Sequence, residues 1–130
     1  MATIKNFEDL EIWKKSRVLC QKVDAYLLQS SICSQNIKYQ IDRSSGSVMD
    51  NIAEGFEREG NKEFINFLSI SKGSCGEVRS QLIRAFDRKF INENEFNDLL
   101  ENCAELSRMI SGFMAYLKTT EYKGNKFFRQ

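Results

Sequence analysis

Apolar residues return every three or four positions along four stretches of the chain, which is the spacing of one face of an α-helix. The first stretch runs from about Phe7 to Gln29. Leu10, Trp13, Cys20 and Leu27 form one stripe, with Ile12, Leu19, Val23 and Tyr26 beside it. The second, from about Ile37 to Glu54, turns Ile37, Ile41, Ser44, Val48 and Ile52 to one side. The third, from about Lys62 to Arg88, repeats through Phe64, Phe67, Leu68, Ser71, Cys75, Val78, Leu82 and Ala85. The fourth starts at Asn92 and carries Phe96, Leu99, Cys103, Ile110, Phe113 and Leu117. No stretch alternates with the period of a strand. Helices of about 20 residues joined by loops of about seven or fewer run antiparallel. The pattern therefore predicts an all-α, up-down-up-down antiparallel four-helix bundle over residues 1–118. A tail at residues 119–130 loses the period.

The chain has no proline, so helix breaking falls to glycine and to caps. Asn92 and Glu95 have the spacing of a capping box. Gly55 reads as the left-handed residue that ends the second helix. Ser44, Ser45, Gly46 and Ser47 are poor helix formers as a run, and Gly73, Ser74 and Gly76 repeat the theme on the third helix. Close approach of these two helices explains both patches. The first and fourth helices are apolar over a wider arc than one bundle core needs, which implies a homo-oligomer.

Composition narrows the chemistry. The chain has no histidine, which removes His general bases, Ser-His and Cys-His pairs and His-ligated metals. Cys20, Cys33, Cys75 and Cys103 form no C-x-x-C pair and read as reduced, small apolar residues. Neither a P-loop nor a dinucleotide glycine pattern occurs. We expect no enzyme activity, no metal and no cofactor. No apolar run approaches a membrane span and the N-terminus has no signal core, so a cytoplasmic protein is expected.

The formal net charge is +1, but its placement is uneven. Residues 61–90 carry six basic and three acidic groups, while residues 91–117 carry one basic and five acidic groups. Basic helix three and acidic helix four complement each other on one reading. On the other, Arg79, Arg84, Arg88 and Lys89 join Lys123, Lys126 and Arg129 of the tail in a phosphate-binding surface, with Tyr122, Phe127 and Phe128 available to stack on bases. A polar stripe is equally conspicuous. Arg43, Ser47, Asn51 and Glu54 recur at helical spacing on the second helix, and Ser74, Glu77 and Gln81 on the third. Such a stripe fixes helix register or subunit contacts, or it lines a ligand site.

The residues Phe7-Glu8-Asp9-Leu10 with Ile12-Trp13, Gln40-Ile41 with Arg43, Ser47-Val48 and Asn51 to Phe56, Lys62-Glu63-Phe64 with Phe67-Leu68, and Gly73-Ser74 with Glu77 and Gln81-Leu82 carry a resemblance. Together they resemble the bacterial four-helix bundle proteins encoded in intervening sequences of 23S ribosomal RNA genes, a family often labelled ribosomal. The resemblance reaches to about Lys118. It implies an up-down bundle assembled as a ring-like homopentamer. A similar branch, the accessory variability protein of diversity-generating retroelements, forms a basic pentameric barrel that binds nucleic acid and reverse transcriptase. This chain departs at Gly60, where the family usually has a serine that caps helix three, and in its near-neutral charge. The expectation is a non-enzymatic oligomeric bundle that binds RNA or another nucleic acid. The alternative is a scaffold for a protein partner.

Overall fold

The computed structural model describes residues 4–120. A turn of 3-10 helix at Phe7–Asp9 leads into α1, Glu11–Val23, which continues through one π-helical turn at Asp24–Leu28. Then follow α2, Gln35–Glu57; α3, Gly60–Asp87; and α4, Glu93–Thr119. There is no strand among the described residues. Each helix packs on its neighbour in sequence, and α1 closes against α4.

Side-chain bonds fix the directions. Gln40 meets Arg84, Ser44 meets Gln81 and Ser47 meets Ser74, so α2 and α3 run antiparallel. Lys15 meets Glu105 and Lys22 meets Asp98, so α1 and α4 do likewise. Asn61 meets the Leu117 carbonyl, and Cys75 the Cys103 carbonyl, which orients α3 against α4. The up-down-up-down order follows. The core holds Leu19, Leu27, Ile37, Ile41, Ile52, Phe56, Phe64, Leu68, Leu82, Leu99, Leu106 and Ile110, all fully buried. Each such side chain contributes about 1.5–3 kcal/mol by leaving water.

Helix ends differ from the sequence reading in instructive ways. The first helix is not continuous from Phe7. Leu10 is extended at φ −74, ψ 132 and serves as the N-cap of α1, while Phe7 folds back edge-on to Trp13 with ring centroids 5.2 Å apart. Gly55 does not end α2, which continues to Glu57. A Cβ at Gly55 would lie 2.8 Å from the Phe67 Cβ and 2.9 Å from Phe64 Cδ1, so glycine is needed there for close approach, not for a turn. The left-handed glycine is Gly60, at φ 75, the first residue of α3. It follows the N-cap Glu59, so position 60 is not the cap of α3. Asn92 and Glu95 do form the expected capping box of α4. That helix ends at Thr119, two residues beyond the reading.

The serines and the glycines of the two small-residue patches separate. Ser44, Ser45, Ser71 and Ser74 are buried, but a Cβ at Gly46, Gly73 or Gly76 would meet nothing within 4 Å. Those three glycines are not packing contacts within the chain. Excess apolar surface is also spread more evenly than expected. Among the described residues, the exposed large apolar side chains besides Val18 on α1 and Tyr116 on α4 are Ile32, Tyr39 on α2, and Ile70 and Ile83 on α3. The four cysteines are free thiols, three buried and Cys20 half-buried.

Candidate functional site: the α2–α3 groove and the basic face of α3

The polar stripes of α2 and α3 meet along one seam. Ser47 and Ser74 share a hydroxyl–hydroxyl bond of 2.9 Å. Asn51 Nδ2 donates to the Ser47 carbonyl at 2.8 Å and to the Ser47 hydroxyl at 2.9 Å. Ser44 donates to Gln81 Oε1, and Ser71 donates across the seam to the Val48 carbonyl at 2.7 Å. Arg84 Nη1 donates to Gln40 Oε1 at 2.8 Å. Small hydroxyl side chains allow this because they bring a donor with little bulk. Each bond stabilises by about 0.5–1.5 kcal/mol net.

Above the seam lies a groove of about 470 Å³ lined by Asn36, Tyr39, Gln40, Arg43, Ser44, Ser47, Glu77 and Gln81. Four residues of the sequence-derived stripe line it: Arg43, Ser47, Glu77 and Gln81. Ser74 and Asn51 support its floor. Glu54 stands apart, taken by Arg58 at 2.8 Å. Arg43 and Glu77 are exposed at the rim, and neither enters an ion pair among the described residues. The Arg43 guanidinium lies over the Tyr39 ring, 5.7 Å from its centroid. Tyr39, Gln40 and Ser44 were missed as site residues. Gln40 and Ser44 stand three before and one after Arg43, so extending the helical row by one turn finds Gln40.

The basic residues proposed from sequence do not converge on one point. Arg79 is exposed on α3, Arg84 is tied to Gln40, and Arg88 and Lys89 lie in the α3–α4 turn, where Lys89 takes φ 64. Lys123, Lys126, Arg129 and the tail aromatics lie outside the described residues. Among the described residues, no cation of α3 enters an ion pair. α1 differs: Lys14 pairs with Glu11, Lys15 with Glu105 and Lys22 with Asp98. Asp98 and Glu105 of α4 thus complement α1, and among the described residues no α4 carboxylate pairs with a cation of α3.

The sequence reading also missed the centre of the α1–α4 seam. Asp98 accepts from Lys22 at 2.9 Å and from the Tyr26 hydroxyl at 2.8 Å. The Lys22 ammonium, then the Tyr26 hydroxyl, hold the Asp98 carboxyl below the usual carboxylate range, and Asp98 in turn pushes the Tyr26 phenol up. Lys15 lowers Glu105 in the same way. Deeper in the bundle, the neighbouring Cys75 thiol and burial push the Cys103 thiol up, so it stays protonated. No cluster of three or more Cys, Asp or Glu side chains is placed to hold a metal ion among the described residues. No helix among them is long and apolar enough to cross a membrane.

A solved structure of a protein with unknown function, from the S23 ribosomal protein family of Bacteroides thetaiotaomicron VPI-5482, matches with a TM-score of 0.73. The two chains are 21% identical over 79% of this chain and 97% of the other, so the likeness concerns the fold. No curated protein matches. The profile of the 23S rRNA-intervening sequence proteins matches residues 8–112. The chain belongs to the 23S rRNA-intervening sequence protein family.

Proposed function

We propose that this protein is a non-catalytic, cytoplasmic, oligomeric bundle that binds RNA through exposed cations of α3 and of the α3–α4 turn. One observation carries the reading. Among the described residues, the cations of α3 and of the α3–α4 turn are left without carboxylates while those of α1 are mostly neutralised. A cation held by no internal partner is available to a phosphate. Arg79, Arg88 and Lys89 are the primary contacts. Arg84 supports the same face from its bond to Gln40, and Lys123, Lys126 and Arg129 extend the basic run in sequence.

Phosphate binding releases counterions, so affinity falls steeply with salt. Filter binding of a structured RNA at low and high salt tests this. Strong retention at low salt that collapses at high salt is the expected result. Equal, negligible retention at both, from folded protein, contradicts it.

A protein partner is the second reading, favoured by Tyr39, which exposes its ring in a groove with an uncharged floor. Capture of a partner that survives nuclease treatment supports that reading. Loss of the captured material on nuclease treatment supports RNA.

A further inference from the structure

We propose that the cleft between the α1–α2 loop and the α3–α4 turn takes one unpaired nucleotide of RNA, its phosphate on Lys89 and its base against Tyr26, Ile32 and Phe90. The proposal rests on the RNA reading above and narrows the substrate from phosphate backbone in general to RNA with unpaired bases.

The backbone at Lys89 carries the argument. The Phe90 N–H donates to the Ala85 carbonyl and the Lys89 N–H to the Phe86 carbonyl, each at 2.9 Å, which closes α3 in a Schellman turn. That turn needs a left-handed residue just after the cap, and glycine usually supplies it. Here the position holds lysine at φ 64, the one non-glycine residue with positive φ among those described. A side chain in this conformation works against the fold, since its Cβ crowds the following carbonyl. The α3 dipole does not require it: Arg84 and Arg88 already stand at the carbonyl end of the helix. Nor does an internal partner, because Lys89 enters no ion pair among the described residues. The ammonium is thus held against a backbone cost where only something outside the bundle can use it.

Lys89 lines a cleft of about 620 Å³, within the range of small-ligand sites. Its other walls suit a nucleotide. Tyr26 and Phe90 present rings that pair with no other ring among the described residues, and unpaired bases stack on such rings. The Tyr26 ring is fixed by its hydroxyl bond to Asp98 and stands in the π-helical turn, a backbone form concentrated at functional sites. Ile32, 65% exposed, adds apolar surface from the facing loop. Donors gather beside them. Ser30 Oγ accepts the Ile32 and Cys33 N–H groups at 3.2 Å and keeps its own proton to give. Asn92 uses only its Oδ1 in the capping box and keeps its Nδ2. The carboxylate in the lining, Glu95, is turned to the Asn92 N–H at 3.3 Å.

Filter binding on the full chain tests this, with a short single-stranded RNA oligonucleotide of mixed sequence and the blunt duplex that contains the same strand. The wild type should hold the single strand several-fold more tightly than the duplex. Lys89→Gly should weaken single-strand retention several-fold and lower its salt slope by about one. Its melting temperature should hold or rise, because glycine takes the left-handed turn without a Cβ penalty. A lysine kept only for the fold would show the reverse. Lys89→Arg should keep the retention. Ile32→Ser, at an exposed position outside the core, should erase the preference for single strand and leave duplex retention in place. A wild type that holds the duplex as well as the single strand would overturn the proposal and leave the reading of the α3 cations standing. So would Lys89→Gly that binds as the wild type or melts lower, or Ile32→Ser that keeps the preference. Folded wild-type protein that retains neither RNA would overturn both.

Discussion

The seams α1–α4 and α2–α3 join helices of the same bundle with opposite chemistry. Between α1 and α4, ammonium groups meet carboxylates at the edge of solvent: Lys15 with Glu105, and Lys22 with Asp98. Between α2 and α3, hydroxyls and amides meet each other and the backbone, with Ser71 and Ser74 buried. The first kind of seam uses up charge and is screened by salt. The second uses only the Arg84 guanidinium, on Gln40, and it leaves Arg43, Glu77 and the other α3 cations without an ion pair among the described residues. How a helix is held thus decides which of its charges remain available.

The contrast breaks first at Gly55. Gly55→Ala pushes a Cβ against Phe67 and Phe64 and should cost about 1–3 kcal/mol in urea unfolding. Ser47→Ala removes the hydroxyl partner of Ser74 and one of the two acceptors of Asn51, which keeps the Ser47 carbonyl, and should cost about 1–2 kcal/mol, the same at low and high salt. Asp98→Ala should cost less, about 0.2–1 kcal/mol, since its side chain and that of Lys22 are each about a third exposed. That cost should shrink as salt rises, which melting curves at two ionic strengths would show. A salt-independent loss at Asp98, or a salt-dependent one at Ser47, removes the distinction.

The smallest effect is in pH. Asp98 and Glu105 titrate below their unfolded values, held by Lys22 and Lys15. A depressed carboxylate stabilises the fold above its unfolded pKa, and that contribution is lost as pH falls through the folded pKa. The melting temperature should therefore drop between about pH 5 and about pH 2, by less in Asp98→Ala than in the wild type.

Much of this was legible in the sequence. The 3-4 spacing located all four helices because each buries one stripe in a common core. The capping box was legible because Asn92 and Glu95 act locally. The same spacing placed Ser47, Ser74 and Gln81 on facing stripes before any partner was known. Gly55 was misread because a glycine at a close crossing and one at a helix end look alike in sequence, and only Phe64 and Phe67, reached after a turn, tell them apart. The partners of Asp98 were illegible for a similar reason, since Lys22 and Tyr26 lie over seventy positions away and meet it only once α1 closes on α4. Gly46 and Gly73 looked like internal contacts, and the bundle leaves them facing outward.

The comparison of α1 with α3 is tested most directly by neutralising each set of cations and measuring RNA retention at low salt. Replacing Arg79, Arg88 and Lys89 with glutamine should abolish most of the retention and flatten its salt dependence. Replacing Lys14, Lys15 and Lys22 with glutamine, an equal loss of formal charge, should leave retention close to wild type while lowering the melting temperature. Equal loss of retention in the two triple variants, or retention unchanged in the α3 variant, would contradict the account.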